Sequence, residues 1–287
     1  MNRDFQRDDA RHDHPRVQRQ PDRTGREQDM RVRTTEQERS GGREREPRQT
    51  YVDQGRKYYL NERQAASLRD LGAFRVTTPQ DLETYVYKGN AEAFRIDLRN
   101  LTEQRLVRTI NLKGHSPQPY ITLTKLGRDV TDRQLKTNPQ QKLYAGVVKL
   151  RELDHDSKMY RLYLKESEAI RQAGGSPKRV VLDYELKKTV NKELAAIQKL
   201  SRQEQQQRRE EIAAMHHLIV LDGKIHLPDL RIEYEDRHLS LNRVDLELVS
   251  DHYKGSQIAA KRAAGFKLYG NAYRGRAAEY SRDILSL

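Results

Sequence analysis

The residues best suited to chemistry lie near the end of this 287-residue chain, where Asp229, Asp245 and Glu247 stand among alternating apolar side chains. Leu227-Pro228-Asp229-Leu230-Arg231-Ile232-Glu233-Tyr234 alternates like a half-buried strand. Residues 235–238 make a turn, and 239–248 return with Val244, Leu246 and Leu248 on one side. Asp245 and Glu247 then share the other side, because successive strand side chains point to opposite faces. With Asp229 on the first strand, such a hairpin brings three carboxylates to one place. Their mutual repulsion is costly unless a divalent cation or a basic partner neutralises it. Hard oxygen ligands favour Mg2+ or Mn2+, and the chain has no Cys to hold a softer ion.

Other elements must position that hairpin. Tyr160, Leu164 and Ile170 predict a helix over 157–173, stopped by Gly174-Gly175-Ser176-Pro177. Val180-Val181-Leu182 leads into a second helix over 183–200, with Leu186, Val190, Leu194 and Ile197 on its buried face and Glu185 and Glu193 off it. Residues 201–211, rich in Gln and Arg, read as its exposed continuation. A helix after the hairpin carries Lys254 and Lys261.

This arrangement resembles the PD-(D/E)XK nuclease superfamily, whose core sets a helix carrying an acid before a mixed sheet. Pro228-Asp229 matches the first motif element and Asp245-Leu246-Glu247 occupies the second. Where that family usually carries lysine, this chain has Glu247. Lys254 or Lys261 on the following helix would replace it, a relocation known in the superfamily, and Glu185 would match the helix acid. The resemblance implies Mg2+ or Mn2+ held by Asp229, Asp245 and Glu247, and a metal-bound hydroxide attacking a phosphodiester. Exposed acids on an edge strand are the plainer reading of the same residues.

The middle of the chain has a different organisation. Ala65, Leu68 and Leu71 recur at helical spacing over 60–71 behind an Asn61 cap, with Gly72 ending the run. Thr78-Pro79 caps a short second helix through Leu82, Tyr85 and Val86. A third helix over 91–104 turns Phe94, Leu98 and Leu101 inward and projects Arg95 and Arg99 elsewhere. Two strands, 106–110 and 120–123, flank a polar turn over 113–119. Three helices and a hairpin resemble the winged-helix domains of bacterial DNA-binding proteins. In that family the third helix enters the major groove and the wing touches flanking backbone. Arg95, Arg99 and Lys113 are the expected contacts, against the plain alternative of a solvated helix face.

Charge supports that placement. Of 55 Lys plus Arg and 42 Asp plus Glu, residues 51–150 hold 17 and 10, net +7, and residues 151–287 hold 25 and 21, net +4. Excess positive potential over a small domain attracts phosphate. Residues 1–50 hold 13 Arg, no Lys and 11 acids with scattered apolar residues, so a disordered mixed-charge arm is expected. Without Cys there is no disulfide, thiolate nucleophile or zinc-cysteine site. No apolar run reaches the ~20 residues of a membrane span, and no apolar signal region opens the chain, so a cytoplasmic location is expected.

The expected fold is therefore α+β: arm 1–50, winged helix 51–130, connector 131–155 and nuclease-like α/β domain 156–287. From about Tyr59 to the end, including the run from Glu247 through Lys261 to Tyr269, the chain resembles the bacterial replication-relaxation family of plasmids and mobile elements. That resemblance implies a factor acting on double-stranded DNA, alongside other replication or mobilisation proteins. It implies either a Mg2+-dependent endodeoxyribonuclease or a non-catalytic regulator whose C-terminal domain docks partners. Tyrosine relaxase chemistry is disfavoured: His12-Asp13-His14 falls in the arm and His216-His217 are adjacent, so neither puts two imidazoles side by side on a strand face. Tyr253, Tyr269, Tyr273 and Tyr280 read as packing residues. No Gly-rich phosphate loop with Lys and Ser or Thr is present, so ATP-driven chemistry is unsupported.

Overall fold

A tight turn at Gln54-Gly55, both with positive φ (48° and 78°), folds β1 (Gln49–Asp53) and β2 (Arg56–Leu60) into an antiparallel hairpin. The computed structural model that shows it describes residues 46–112, 118–147, 149–250 and 253–270. Most of the arm assigned to 1–50, and Lys113, lie outside these residues. The sequence reading missed the hairpin; its first strand overlaps the end of that arm. Asp53, Tyr58 and Leu60 point inward, and the Asp53 carboxylate receives Arg133 Nε and Nη2 at 2.6 and 2.7 Å.

Next comes α1 (Glu62–Phe74), started by a capping box: Asn61 Oδ1 accepts from Gln64 N at 2.8 Å, and Gln64 Oε1 accepts from Asn61 N at 3.0 Å. Gly72 does not end this helix. It lies within the last turn because a Cβ there would stand 3.0 Å from Leu143 Cδ2 and 3.3 Å from Leu123 Cδ1. Then follow β3 (Val76–Thr77), α2 (Pro79–Tyr85) behind its Thr78 cap, α3 (Ala91–Glu103), β4 (Val107–Ile110) and β5 (Tyr120–Leu123). The three strands pair antiparallel in the order β3-β5-β4 over a core of Leu68, Leu71, Leu82, Leu101, Leu106 and Leu123. The three helices and the hairpin follow in the order read from the sequence, and the short β3 between the first two helices is an addition to it. A short α4 (Lys125–Val130) and one π-helical turn close it.

The second half opens with α5 (Leu153–Gln172), four residues earlier than the spacing predicts. It continues through β6 (Ser176–Leu182), α6 (Asp183–Ala196), α7 (Arg202–Met215), the small β7 (Val220–Leu221) and β8 (Lys224–Ile225), β9 (Leu230–Glu235), β10 (Leu241–Val249), α8 (Gly255–Ala263) and β11 (Lys267–Gly270). The predicted helix over 183–200 stops at Ala196. Ser201 then caps a separate helix by bonding Glu204 in a second capping box. The sheet is mixed, in the order β11-β10-β9-β6, with β11 parallel to β10 across the α8 connection and the other pairs antiparallel. At the β6 edge the Gln141 side chain imitates a further strand, accepting from Val180 N at 2.9 Å and donating to Val180 O at 3.1 Å.

Alternation gives this sheet one apolar and one polar face. Val180, Leu182, Leu230, Ile232 and Leu246 pack against Met159, Tyr160, Leu162 and Ile170 of α5. Phe74 at the end of α1 joins that same core, its ring centroid 5.2 Å from Tyr160 and 5.0 Å from Tyr163. Tyr160 Oη donates to Asp70 at 2.6 Å, and Arg161 pairs with Asp81 at 2.7 Å. The chain is thus α+β, and its described residues from Arg48 onward form one compact unit. Among the described residues no helix is long and apolar enough to cross a membrane.

Candidate functional site

The hairpin turn, with His238 at its centre, sets which acids meet. Glu235 pairs with Leu241 and Leu230 with Leu246, so Asp229, one residue beyond, comes beside Glu247. Asp229 N donates to Leu246 O at 3.1 Å, and its Oδ2 accepts from Leu248 N at 2.9 Å. Glu247 is fully buried. Its Oε1 receives Lys261 Nζ at 2.6 Å and Tyr253 Oη at 2.8 Å, while Oε2 is buried with no partner in the structure. Lys261 Nζ also donates to Leu227 O at 2.7 Å, which aims the ammonium at this corner. Lys254 does not point in. It is exposed at the start of α8, its N–H donating to Gln257 Oε1 at 2.8 Å.

Asp245 is directed elsewhere by the same register, which sets it across from Arg231. Buried Arg231 and half-buried Asp245 form a bidentate pair at 2.6 and 2.8 Å, and the guanidinium also donates to the carbonyls of His216 and His217 at the end of α7. A cation there complements the helix C-terminus, so the pair ties α7 to the sheet. Glu185 sits on α6, not on the helix that precedes the sheet. It accepts from Arg179 at 2.5 Å and from Tyr144 Oη at 2.7 Å. Of the four acids, the structure brings together Asp229 and Glu247. Among the described residues no three His, Asp or Glu side chains form a metal-ligand set.

A residue the sequence reading missed completes the corner. His155, in the first turn of α5, sits 3.5 Å from Asp229 Oδ2 and 3.5 Å from Asp156 Oδ1. Its bonds to Asp156 and Asp229 push its pKa up to about 10, against burial. Burial works to raise the Asp229 pKa, but His155, the Leu248 N–H and Lys261 outweigh it and hold the carboxyl below its ordinary value. Glu247 goes the other way: burial, then the charge of Asp229, raise it despite Lys261 and Tyr253. Two adjacent carboxylates with separated proton affinities, one lysine and one imidazolium can bind a cation or steady a phosphate.

In the other half, Arg95 and Arg99 are exposed on the outer face of α3, beside exposed Ile96. The inner faces of that helix hold it in place: Phe94 and Leu101 enter the core, buried Asp97 accepts Asn61 Nδ2 at 2.9 Å, and Asn100 accepts Gln64 Nε2 at 2.9 Å. Gln104 brackets the backbone of Tyr59, accepting its N–H at 3.2 Å.

No family model and no curated protein matches the chain. Solved structures of ZitR from Lactococcus lactis align with it over part of its length. A ZitR mutant in complex with DNA is 17% identical over 61% of this chain and 94% of its own, with a TM-score of 0.25. Wild-type ZitR in complex with DNA is 14% identical over 68% and 96%, with a TM-score of 0.23. Superpositions this loose do not establish a shared fold.

Proposed function

We propose that this chain is a duplex-DNA-binding replication or relaxation factor of a plasmid or other mobile element. The observation that carries the reading is the pair Arg95 and Arg99, exposed on the third helix of a helix-helix-hairpin unit whose sequence segment is net positive. Arginine at exposed positions of such a helix suits phosphate and base edges. The test is a titration of the full chain with duplex DNA at increasing salt. Affinity should fall with a log-log slope of roughly 0.9 per phosphate neutralised. Undetectable or salt-independent binding would sink the reading.

A second reading, divalent-metal-dependent nicking, is favoured by Asp229 beside Glu247 with Lys261 reaching in from the following helix. The residues fit a hard cation. Mg2+ sites commonly use one or two carboxylates plus substrate phosphates, and Glu247 Oε2 is a buried acceptor with no protein partner. Asp229 and Glu247 would hold Mg2+ or Mn2+, which supplies a hydroxide nucleophile at neutral pH when bound. Lys261 would take the place of the strand lysine. Asp229→Asn should abolish nicking of supercoiled plasmid while sparing DNA binding. Absence of nicking by the wild type with either metal would favour the other member of this reading, a non-catalytic scaffold with a degenerate nuclease-like domain that docks partner proteins.

A further inference from the structure

Two strand edges are closed by glutamine side chains, that of β6 by Gln141 and that of β2 by Gln104. Gln104 accepts from Tyr59 N at 3.2 Å and donates to Tyr59 O at 3.4 Å, so the polar backbone groups of Tyr59 point away from β1. Register pairs Tyr59 with Thr50 and Lys57 with Val52. Alternate pairs of an antiparallel ladder exchange no hydrogen bonds, so the N–H and C=O groups of Thr50 and Val52 point away from β2 as well. Among the described residues no hydrogen bond takes them. β1 presents an open edge.

That edge lacks the usual guards. Native edges are blunted by lysine, proline or a bulge, yet Gln49-Thr50-Tyr51-Val52 carries no charge and pairs with β2 in unbroken register. Thr50, Tyr51 and Val52 are β-branched or aromatic, the types that pack best on a pleated surface. On the outer face of the hairpin Val52 is 54% and Tyr59 50% exposed. Pro47 before the strand and the Gln54-Gly55 turn after it bound the edge, so whatever pairs there is short.

We propose that β1 pairs antiparallel with β1 of a second copy of this chain across a two-fold axis, making a four-stranded sheet in the order β2-β1-β1-β2. The residues suit a self-partner. Thr50 and Val52 are the strand positions that direct backbone groups outward, and the register that uses both sets Thr50 of each copy opposite Val52 of the other, with about four hydrogen bonds between the chains. Tyr51 then meets its own counterpart on the axis in a non-hydrogen-bonded pair, where Cα atoms approach to about 4.5 Å and side chains come closest. β-Branched residues thus face each other, and aromatic faces aromatic, the cross-strand pairs that stabilise sheets. Like charges stay apart, since Arg48 of each copy falls beside Gln54 of the other. The contact is small, in the weak class of interfaces below about 1,200 Å² of buried surface, so micromolar dissociation is expected. None of this depends on the DNA-binding reading.

The experiment is sedimentation equilibrium of the full chain into the high micromolar range. Wild type should pass from monomer to dimer; a wild type that stays monomeric throughout overturns the proposal. Val52→Pro removes one outward N–H and leaves the β1–β2 ladder its own bonds, so this variant should stay monomeric with an unchanged far-UV spectrum. Should it fail to fold, Val52→Lys decides, because it puts a charge on the edge at a side chain that is already exposed. A folded variant of either kind that dimerises as well as wild type overturns the proposal. Register is read by cysteine trapping, which is unambiguous in a chain without Cys. Tyr51→Cys should give a disulfide-linked dimer under mild oxidation, since about 4.5 Å between Cα atoms is within reach of that bond. Gln49→Cys should not, because four residues of strand hold it more than about 13 Å from its counterpart. Equal trapping of both variants, or of neither, overturns the two-fold pairing.

Discussion

Lys261 and Glu247 meet at 2.6 Å, the ammonium from α8 and the carboxylate from the middle of the mixed sheet, with Glu247 fully buried. The pair makes the charge at this depth tolerable, since a lone buried carboxylate either bears its desolvation or takes up a proton.

Lys261→Met should therefore destabilise the protein at neutral pH by roughly 3 kcal/mol, the cost of removing one partner of a buried pair. Burial already raises the Glu247 pKa, so the folded state holds its proton more tightly than the unfolded chain. Stability of this variant should rise as pH falls through the Glu247 titration. Denaturant melts at several pH values check the trend, and adding Glu247→Gln should recover most of the loss. No pH dependence would show that Glu247 is not the group left unpaired.

His155 predicts the opposite end of the pH scale. Its folded pKa of about 10 stands above the ordinary 6.5, so its contribution is fully present below 6.5 and disappears as pH rises through about 10. His155→Gln should flatten the stability profile across that interval and, because His155 leads the groups that hold the Asp229 carboxyl below its ordinary value, should also start the acid loss of stability at a higher pH. Equal profiles for the two proteins would mean that the imidazolium does not pair with Asp229 and Asp156.

Phe74 tests whether the halves fold together. Phe74→Ala removes a ring that packs on Tyr160 and Tyr163, and should cost about 3–5 kcal/mol. Calorimetry should show one transition moving down as a whole. Separation into two transitions would mean that the half before α5 melts on its own.

Arg95→Ala and Arg99→Ala should each weaken duplex binding without lowering the melting temperature, because both side chains are exposed. If they contact phosphate, each loss should also reduce the salt slope by about 0.9; if they read bases, affinity should fall by about 1–3 kcal/mol on the preferred sequence only. Unchanged affinity in both variants would remove α3 from the interface.

Much of this architecture is legible in the sequence because it rests on local signals. The Asn61 cap, Thr78-Pro79 and the apolar spacing of α3 each act within one or two turns, and each predicted helix appears. The hairpin at 49–60 was hidden because its turn is Gln54-Gly55, where Gln supplies none of the left-handed preference that marks Asn-Gly. Gly72 misled for a related reason: it serves the close approach of Leu143, a contact 71 positions away. At the acid corner the alternation correctly placed Asp245 and Glu247 on one face, but register decides which of them meets Asp229. A turn centred on His238 sets Arg231 across from Asp245 and so separates it from Glu247. His155 left no local trace, since its role depends on how α5 docks against the start of β9.

The chain leaves the sheet after Leu182 and returns at Asp229, and at that point Asp183 N bonds Asp229 O at 3.0 Å. Everything between departs and re-enters through one doorway. Val190, Ile212, Ala213 and Leu218 give the excursion a small core of its own. In the language of protein architecture this is an insert: its ends already touch, so trimming its outer part changes loop closure by little. The first turn of α6 must stay, for its Asp183 N–H makes that closing bond. Beyond it, the segment is a natural place to graft or remove sequence while keeping the sheet, provided that the His216–His217 backbone that receives Arg231 is retained.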